Sequence, residues 1–388
     1  MISFENTENA FKAKTNSELT RSYWLFKLIG NPLLVKSGAK FSPLLLNLGF
    51  KGMIKQTIFK QFVGGENIHD CSHTIAELGK YNIGTILDYS VEGKESEIDF
   101  DNCLNETLET IKKAKNDTNI PFCVFKVTGL ARFDLLVKKS DKNYTLTTQE
   151  DTEWQKVKLR VYNICKTAYD SQQAILIDAE ESWIQPAIDD LANQNMATFN
   201  KTKAIVYNTY QYYRHDRLEY LNQSIKDGKT NGYHVGAKLV RGAYMEKERK
   251  RAAELNYTSP IQNNKQNCDD DYNAALKLCV NNIDVMGICA GTHNEKSSLL
   301  LVELMQQKNI NPNDKRIYFS QLLGMSDHIS YNLSLNNYNV AKYVPYGPVK
   351  EVLPYLIRRA QENTSVKGQT GRELNLIITE KKRRAANK

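Results

Sequence analysis

Apolar residues along this chain fall into eight short continuous runs separated by stretches of helical period. The runs read IGTILDYS (83–90), FCVFKVTG (122–129), AILIDAE (174–180), AIVYNTY (204–210), VGAKLVRGAY (235–244), VMGICAGTH (285–293), RIYFSQLLG (316–324) and NVAKYVPYG (339–347). Each is continuous enough for a strand buried on both faces, as parallel sheets require. Amphipathic patterns such as CLNETLETIKKAK and SSLLLVELMQQK lie between them. Strand–helix alternation predicts a parallel sheet. Eight strands within residues 83–363 match the ~250 residues of a (βα)8 barrel. A doubly wound open sheet is the competing architecture, and periodicity alone does not exclude it.

Polar residues punctuate the runs as a barrel requires. Toward their C-terminal ends stand Asp88, Lys126, Asp178, Asn208, Arg241 with Tyr244, Thr292 with His293, Gln321, and Tyr343. Barrel active sites are built at that end of the strands. A further cluster follows the eighth run. Tyr355, Arg358, Arg359 and Glu362 are spaced i, i+3, i+4 and i+7, which places them on one helix face. Two adjacent guanidiniums suit a small carboxylate, because the planar fork of Arg makes two parallel hydrogen bonds where Lys cannot. Glu362 would hold Arg358 in place as an i,i+4 partner.

Composition narrows the choice of partner. The 388 residues are 41% hydrophobic and 25% charged, as in an ordinary soluble globular protein. No apolar run reaches the ~20 residues that span a bilayer. The N-terminus lacks the pattern of a secretory signal, and Glu5 and Glu8 argue against an acid-poor transit peptide. Seven scattered cysteines with no CxxC fit free thiols in a reducing compartment. A cytoplasmic location is expected on these grounds.

The net charge of +8 suits an anionic substrate, an acidic membrane surface or nucleic acid. Nucleic acid is not expected as a partner, because no motif of the known binding modules is present. Neither GxGxxG nor GxxxxGK[ST] occurs, which excludes those two nucleotide-binding signatures. His69 and His73 have metal-ligand spacing but no partner motif, and read as part of a structural helix; no metal is expected. Residues 22–62 are apolar, aromatic and basic without one acidic residue. They read as helices packed on the barrel, the alternative being a surface resting on anionic lipid at the inner face of a membrane. The basic end KKRRAANK (381–388) reads as a disordered tail. The expected organisation is a helical arm over 1–75, a barrel over 76–365 and a basic tail over 366–388.

Seven motifs appear together in order: LDYSVE (87–92), IDAEES (177–182), VYNTYQ (206–211), AKLVRGAYMEKER (237–249), GTHNEKS (291–297), YFSQLLGMSDHIS (318–330) and KYVPYGPVKEVLPYLIRRAQEN (342–363). Together they resemble the proline dehydrogenase family over roughly residues 60–370. The wording is closer to the monofunctional, eukaryote-like branch than to the large bifunctional bacterial proteins, and no aldehyde dehydrogenase half accompanies it. The resemblance implies a distorted (βα)8 barrel that binds FAD. It implies oxidation of L-proline to Δ1-pyrroline-5-carboxylate, the first step of proline catabolism to glutamate, with electrons passed to a membrane quinone. A hydroxyproline dehydrogenase of the same family, or a flavin-free barrel enzyme acting on a small carboxylate, are the alternatives.

The resemblance also implies roles for single residues. Arg358, Arg359 and Lys126 clamp the substrate carboxylate, with Asp178 and Glu362 as counterions. Tyr343, Tyr355 and Leu322 wall the pyrrolidine ring, and Glu92 pairs with the first arginine as a gate. Lys238 lies near flavin N5, where the bifunctional branch has Arg. Val240, Arg241, Gly242, Ala243, Tyr244 and Gln321 line the cofactor, and Met245 replaces a Trp of that branch. Asn208 matches a position usually filled by Gln there. Thr292, His293 and Asn294 match a cofactor-contacting segment, and Lys265 reaches toward the pyrophosphate or adenine end.

Overall fold

All eight predicted runs form strands, each shorter than its run. In chain order they are β1 (Ile83–Tyr89), β2 (Phe122–Lys126), β3 (Ala174–Asp178), β4 (Val206–Gln211), β5 (Val235–Val240), β6 (Met286–Gly291), β7 (Ile317–Leu322) and β8 (Val340–Tyr346). They close into a barrel in sequence order, and every pairing with a described register is parallel. Helices follow the strands, so the architecture is the expected (βα)8 barrel rather than the open sheet. The computed structural model describes residues 2–31, 52, 55–90, 95–365 and 369–387. Two compact units emerge, one of residues 93–320 and one of residues 1–92 with 321–388.

Within residues 93–320 an aromatic layer fills the barrel near the strand N-termini. Phe122 of β2 meets the Tyr207 ring of β4 edge-on at 5.3 Å and the Tyr318 ring of β7 at 4.9 Å. Since β2 and β4 are not neighbours, these rings meet across the barrel interior. Gly236 and Gly287 make room for Tyr207: a Cβ on either would come within 2.3 Å of the Val206 carbonyl or the Tyr207 hydroxyl. Side chains alternate along a strand. Tyr207, Thr209 and Gln211 therefore face the interior, and Asn208 and Tyr210 face the helices.

The other unit joins β1 and β8 to helices from both ends of the chain. Phe26 and Ile29 of the Asn16–Ile29 helix, Phe59 and Phe62 share one apolar cluster with Val349, Val352, Tyr355, Leu376 and Ile377. The described parts of 22–62 thus pack as helices; residues 32–51, 53 and 54 lie outside the described residues. The basic C-terminus departs from expectation, since residues Gln369–Ala386 form a helix. Leu376 and Ile377 anchor it. Glu380, fully buried, pairs with Arg383 and Arg384, and Arg384 also donates to the Lys14 and Phe11 carbonyls. A charge run read as solvated is one face of an amphipathic helix whose cations satisfy backbone oxygens of the N-terminal arm.

Candidate active site

In the unit of residues 93–320, charge gathers at the C-terminal strand ends. Lys126 and Asp178 end β2 and β3 as register partners. Asp178 accepts a hydrogen bond from Lys238 Nζ at 2.5 Å and lies 3.8 Å from Lys126 Nζ. β3 and β5 are separated by β4, so the Lys238 bond crosses the interior. All three side chains are largely shielded from water, which one carboxylate between two ammoniums makes tolerable.

The segment after β3 carries residues that the motif IDAEES contained but that received no role. Glu180 is buried and accepts from the Thr128 backbone N–H at 3.1 Å and its hydroxyl at 2.6 Å. Burial pushes the Glu180 carboxyl up to about 7; Thr128 and Lys126 oppose the rise, and Glu181 adds to it. Glu181 pairs with Lys247. Ser182 donates its N–H and hydroxyl to Glu248 at 2.6 and 2.7 Å. The signal was three acidic residues crowded at one strand end.

Of the two carboxamides of β4, Asn208 is the one expected at the cofactor, and Gln211 is given no part. Asn208 donates to Asp189 on the Gln185–Phe199 helix at 2.8 Å. Asp189 in turn accepts from Arg217 and Gln185. Asn208 is therefore committed to the helix side of the sheet. Gln211, on the interior face, donates to the Glu180 carbonyl at 2.7 Å and to the Tyr213 hydroxyl at 2.8 Å. Its Oε1 is buried without a hydrogen-bond partner. Alternation counted from Tyr207 would have picked Gln211.

Past β5, Val240 closes the strand and Arg241 turns to the following helices. It bonds Asp269 at 2.7 Å, Thr292 at 2.8 Å and Ser297 at 2.7 Å, and stacks 3.9 Å from the Tyr272 ring centroid. Gly242 packs against Met245, whose Sδ would lie 2.5 Å from a Cβ there and would have to move. Ala243 and Tyr244 lead into the Met245–Glu254 helix. Asn294 caps the Glu295–Gln307 helix by accepting from Ser297 N–H, and Thr292 and His293 precede it. Lys265 is exposed and bonds Asp269 at 2.5 Å.

In the other unit, the predicted helix spans Val349–Ser365. Tyr355 is buried, with the Arg359 and Arg358 guanidiniums 5.3 and 6.0 Å from its ring centroid. The expected i, i+3, i+4 face is thus formed by these three residues. The Glu362 side chain and the whole of Glu92 lie outside the described residues. Tyr343 of β8 is buried, and its carbonyl accepts from Leu323 N–H at 2.9 Å. Leu322 packs on the apolar cluster that contains Tyr355. Gln321 accepts from Ser330 at 2.8 Å. Among the described residues no group of His, Cys, Asp and Glu is arranged to hold a metal ion, His69 and His73 included.

Comparison with known proteins decides the family. The profile of the proline dehydrogenase family matches residues 71–372. The chain belongs to the proline dehydrogenase family. It is 33% identical over 427 residues to proline dehydrogenase 1, mitochondrial, of Dictyostelium discoideum, an alignment covering 98% of this chain and 74% of that protein. It is 29% identical to a hydroxyproline dehydrogenase of Xenopus laevis, covering 97% of this chain and 89% of the other. In fold it is similar to proline utilization A from Bdellovibrio bacteriovorus, with a TM-score of 0.74 at 19% identity. That likeness covers 92% of this chain and 38% of the larger one.

Proline dehydrogenases are flavoenzymes, and the residues here fit a flavin. The buried Gln211 Oε1 is an acceptor awaiting a donor, and the imide N–H of a flavin is one. Lys238 supplies a cation at a water-poor strand end.

Proposed function

We propose that this chain is an FAD-dependent enzyme that oxidises L-proline to Δ1-pyrroline-5-carboxylate and passes the electrons to a quinone. The observation that carries this reading is the family match over residues 71–372, joined to the Tyr355–Arg358–Arg359 face. Arg358 and Arg359 hold the substrate carboxylate through charge-assisted bonds. Tyr343, Tyr355 and Leu322 pack on the pyrrolidine ring and exclude water. Positive charge near the ring nitrogen favours the neutral amine over the ammonium. In the reaction the N–H proton is lost, a hydride leaves the adjacent ring carbon, and a C=N bond forms. When bound, the flavin supplies the two-electron acceptor.

Gln211, Lys238 and the segments at Val240–Tyr244 and Thr292–Asn294 hold the cofactor in this reading, with Gln211 taking the part first given to Asn208. Arg241 and Asn294 shape those segments through their bonds to Asp269, Thr292 and Ser297. Lys265 is kept as the cation facing the pyrophosphate or adenine end. No helix among the described residues is long and apolar enough to cross a membrane. A peripheral membrane contact is the proposed route to quinone. Proline is preferred over hydroxyproline, since an aromatic wall disfavours an added hydroxyl. Chromatography of the released cofactor, with mass analysis of the product from proline, tests the proposal. FAD and the cyclic imine are expected; release of FMN, or of no flavin after reconstitution, would overturn it.

A further inference from the structure

The loop after β7, Leu323–Ser326, carries two left-handed residues within three positions. Gly324 has φ +74° and Ser326 φ +50°. The second is unfavourable for a residue with a Cβ and persists only where the surroundings enforce it. Those surroundings are polar side chains from three distant parts of the chain. Gln61 donates its amide to the Gly324 carbonyl at 2.9 Å and is itself held by the Ser22 hydroxyl at 3.0 Å. A Cβ at Gly324 would meet the Gln61 carbonyl oxygen at 2.1 Å. Glu373, buried on the C-terminal helix, accepts from Ser326 N–H at 2.5 Å.

Lys342 of β8, 1% exposed, donates to the Met325 carbonyl and approaches the Leu322 carbonyl at 3.4 Å. It also pairs with Asp327 at 2.8 Å, which Lys14 of the N-terminal arm meets at 3.1 Å. Burial alone would raise the Asp327 carboxyl; Lys342 and Lys14 outweigh it and hold it below the usual carboxylate range. A buried lysine is costly, and one spent on the carbonyls of a single loop fixes that loop.

We propose that Gln61, Lys342 and Glu373 are positioning residues for substrate selection, acting through the β7 loop on Leu322. The proposal rests on the reading of Leu322 as part of the wall against the substrate ring. None of the three touches substrate. They set the backbone from which the Leu322 side chain projects, so the helices at both ends of the chain take part in recognition.

A double-mutant cycle tests this on the flavin-loaded full chain. Glu373→Ala removes the acceptor of Ser326 N–H and should raise the KM for proline ~5- to 10-fold, below the ~10- to 150-fold of a hydrogen bond to a charged group because the effect reaches substrate only through the loop. kcat should change less, and preference for proline over hydroxyproline should fall. Glu373→Gln keeps an acceptor and should restore most of the KM. In a Leu322→Ala background, Glu373→Ala should have little further effect. Full additivity of the two changes would overturn the proposal. An unchanged KM in Leu322→Ala alone would instead show that Leu322 is not part of the wall. Thermal melts accompany each variant, and if Glu373→Ala does not fold, Gln61→Ala carries the same cycle.

Discussion

Charged groups are held by different means in the two units. In residues 93–320, strand register does the positioning: Lys126 and Asp178 end paired strands, and Lys238 reaches Asp178 from the next strand but one. The ladder fixes these atoms whatever the loops do. In residues 1–92 and 321–388, the arginine face lies on a helix and Leu322 precedes a loop whose backbone is pinned by Gln61, Lys342 and Glu373. There the geometry depends on side chains from other elements, Gln61 the most distant in sequence. Substitutions of the buried carboxylates Asp178 and Glu180 should therefore act on stability, and those on the arginine face on substrate affinity.

Asp178→Ala offers the largest contrast. Removing one partner of a buried ion pair costs ~3–5 kcal/mol, because the other charges stay buried. A fall in Tm is expected by calorimetry, and a wild-type Tm would mean that Lys126 and Lys238 are solvated. Glu180→Gln should act with a definite pH dependence. The carboxyl is raised to about 7 in the folded state from an ordinary value of 4.5. Its contribution to stability is thus fully present below about 4.5 and is lost as pH rises through about 7. The neutral amide accepts from the Thr128 N–H and donates its NH2 to the Thr128 hydroxyl, without that loss. Denaturant melts should show the variant gaining on wild type by ~3 kcal/mol between pH 4.5 and 8. A constant difference across that range would contradict the assignment.

Arg358→Met and Arg359→Met test the other region. Each should raise the KM for proline ~10- to 150-fold, since a charge-assisted bond to a desolvated carboxylate contributes ~1.5–3 kcal/mol. Melting temperatures should move little, and Lys replacements should not rescue. Wild-type KM in both would place the arginines on a solvated face. Tyr343→Ser should have the smallest effect, narrowing the gap in kcat/KM between proline and hydroxyproline by ~10-fold as space and a polar partner appear. An unchanged ratio would mean that Tyr343 does not face ring carbon 4.

The contrast between the units also governs what could be read beforehand. All eight strands were legible because continuous apolar runs of that length have few other uses. The ordered strand-end residues placed Lys126 and Asp178 at the ends of β2 and β3, where they are register partners; Lys238 came from the family resemblance alone. Asn208 was placed on the wrong face because motif matching ignored the two-residue alternation that Tyr207 anchors. Glu180 was overlooked although three acidic residues crowd the end of β3, because its partner Thr128 is distant in the chain. The C-terminal helix was read as a tail because the carbonyls that fix its cations, those of Phe11 and Lys14, are more than 300 positions away in the chain. The Glu373 and Lys342 contacts to the β7 loop, 47 and 17 positions apart, were illegible because no period within one element signals a bond between two elements.

The central claim, that this barrel oxidises proline with a bound flavin, is tested most directly by anaerobic titration of the purified protein with L-proline. Flavin absorbance near 450 nm should bleach in wild type, and in Arg358→Met only at much higher proline. A flavin that proline leaves oxidised, or a protein that FAD cannot reconstitute, would contradict the account.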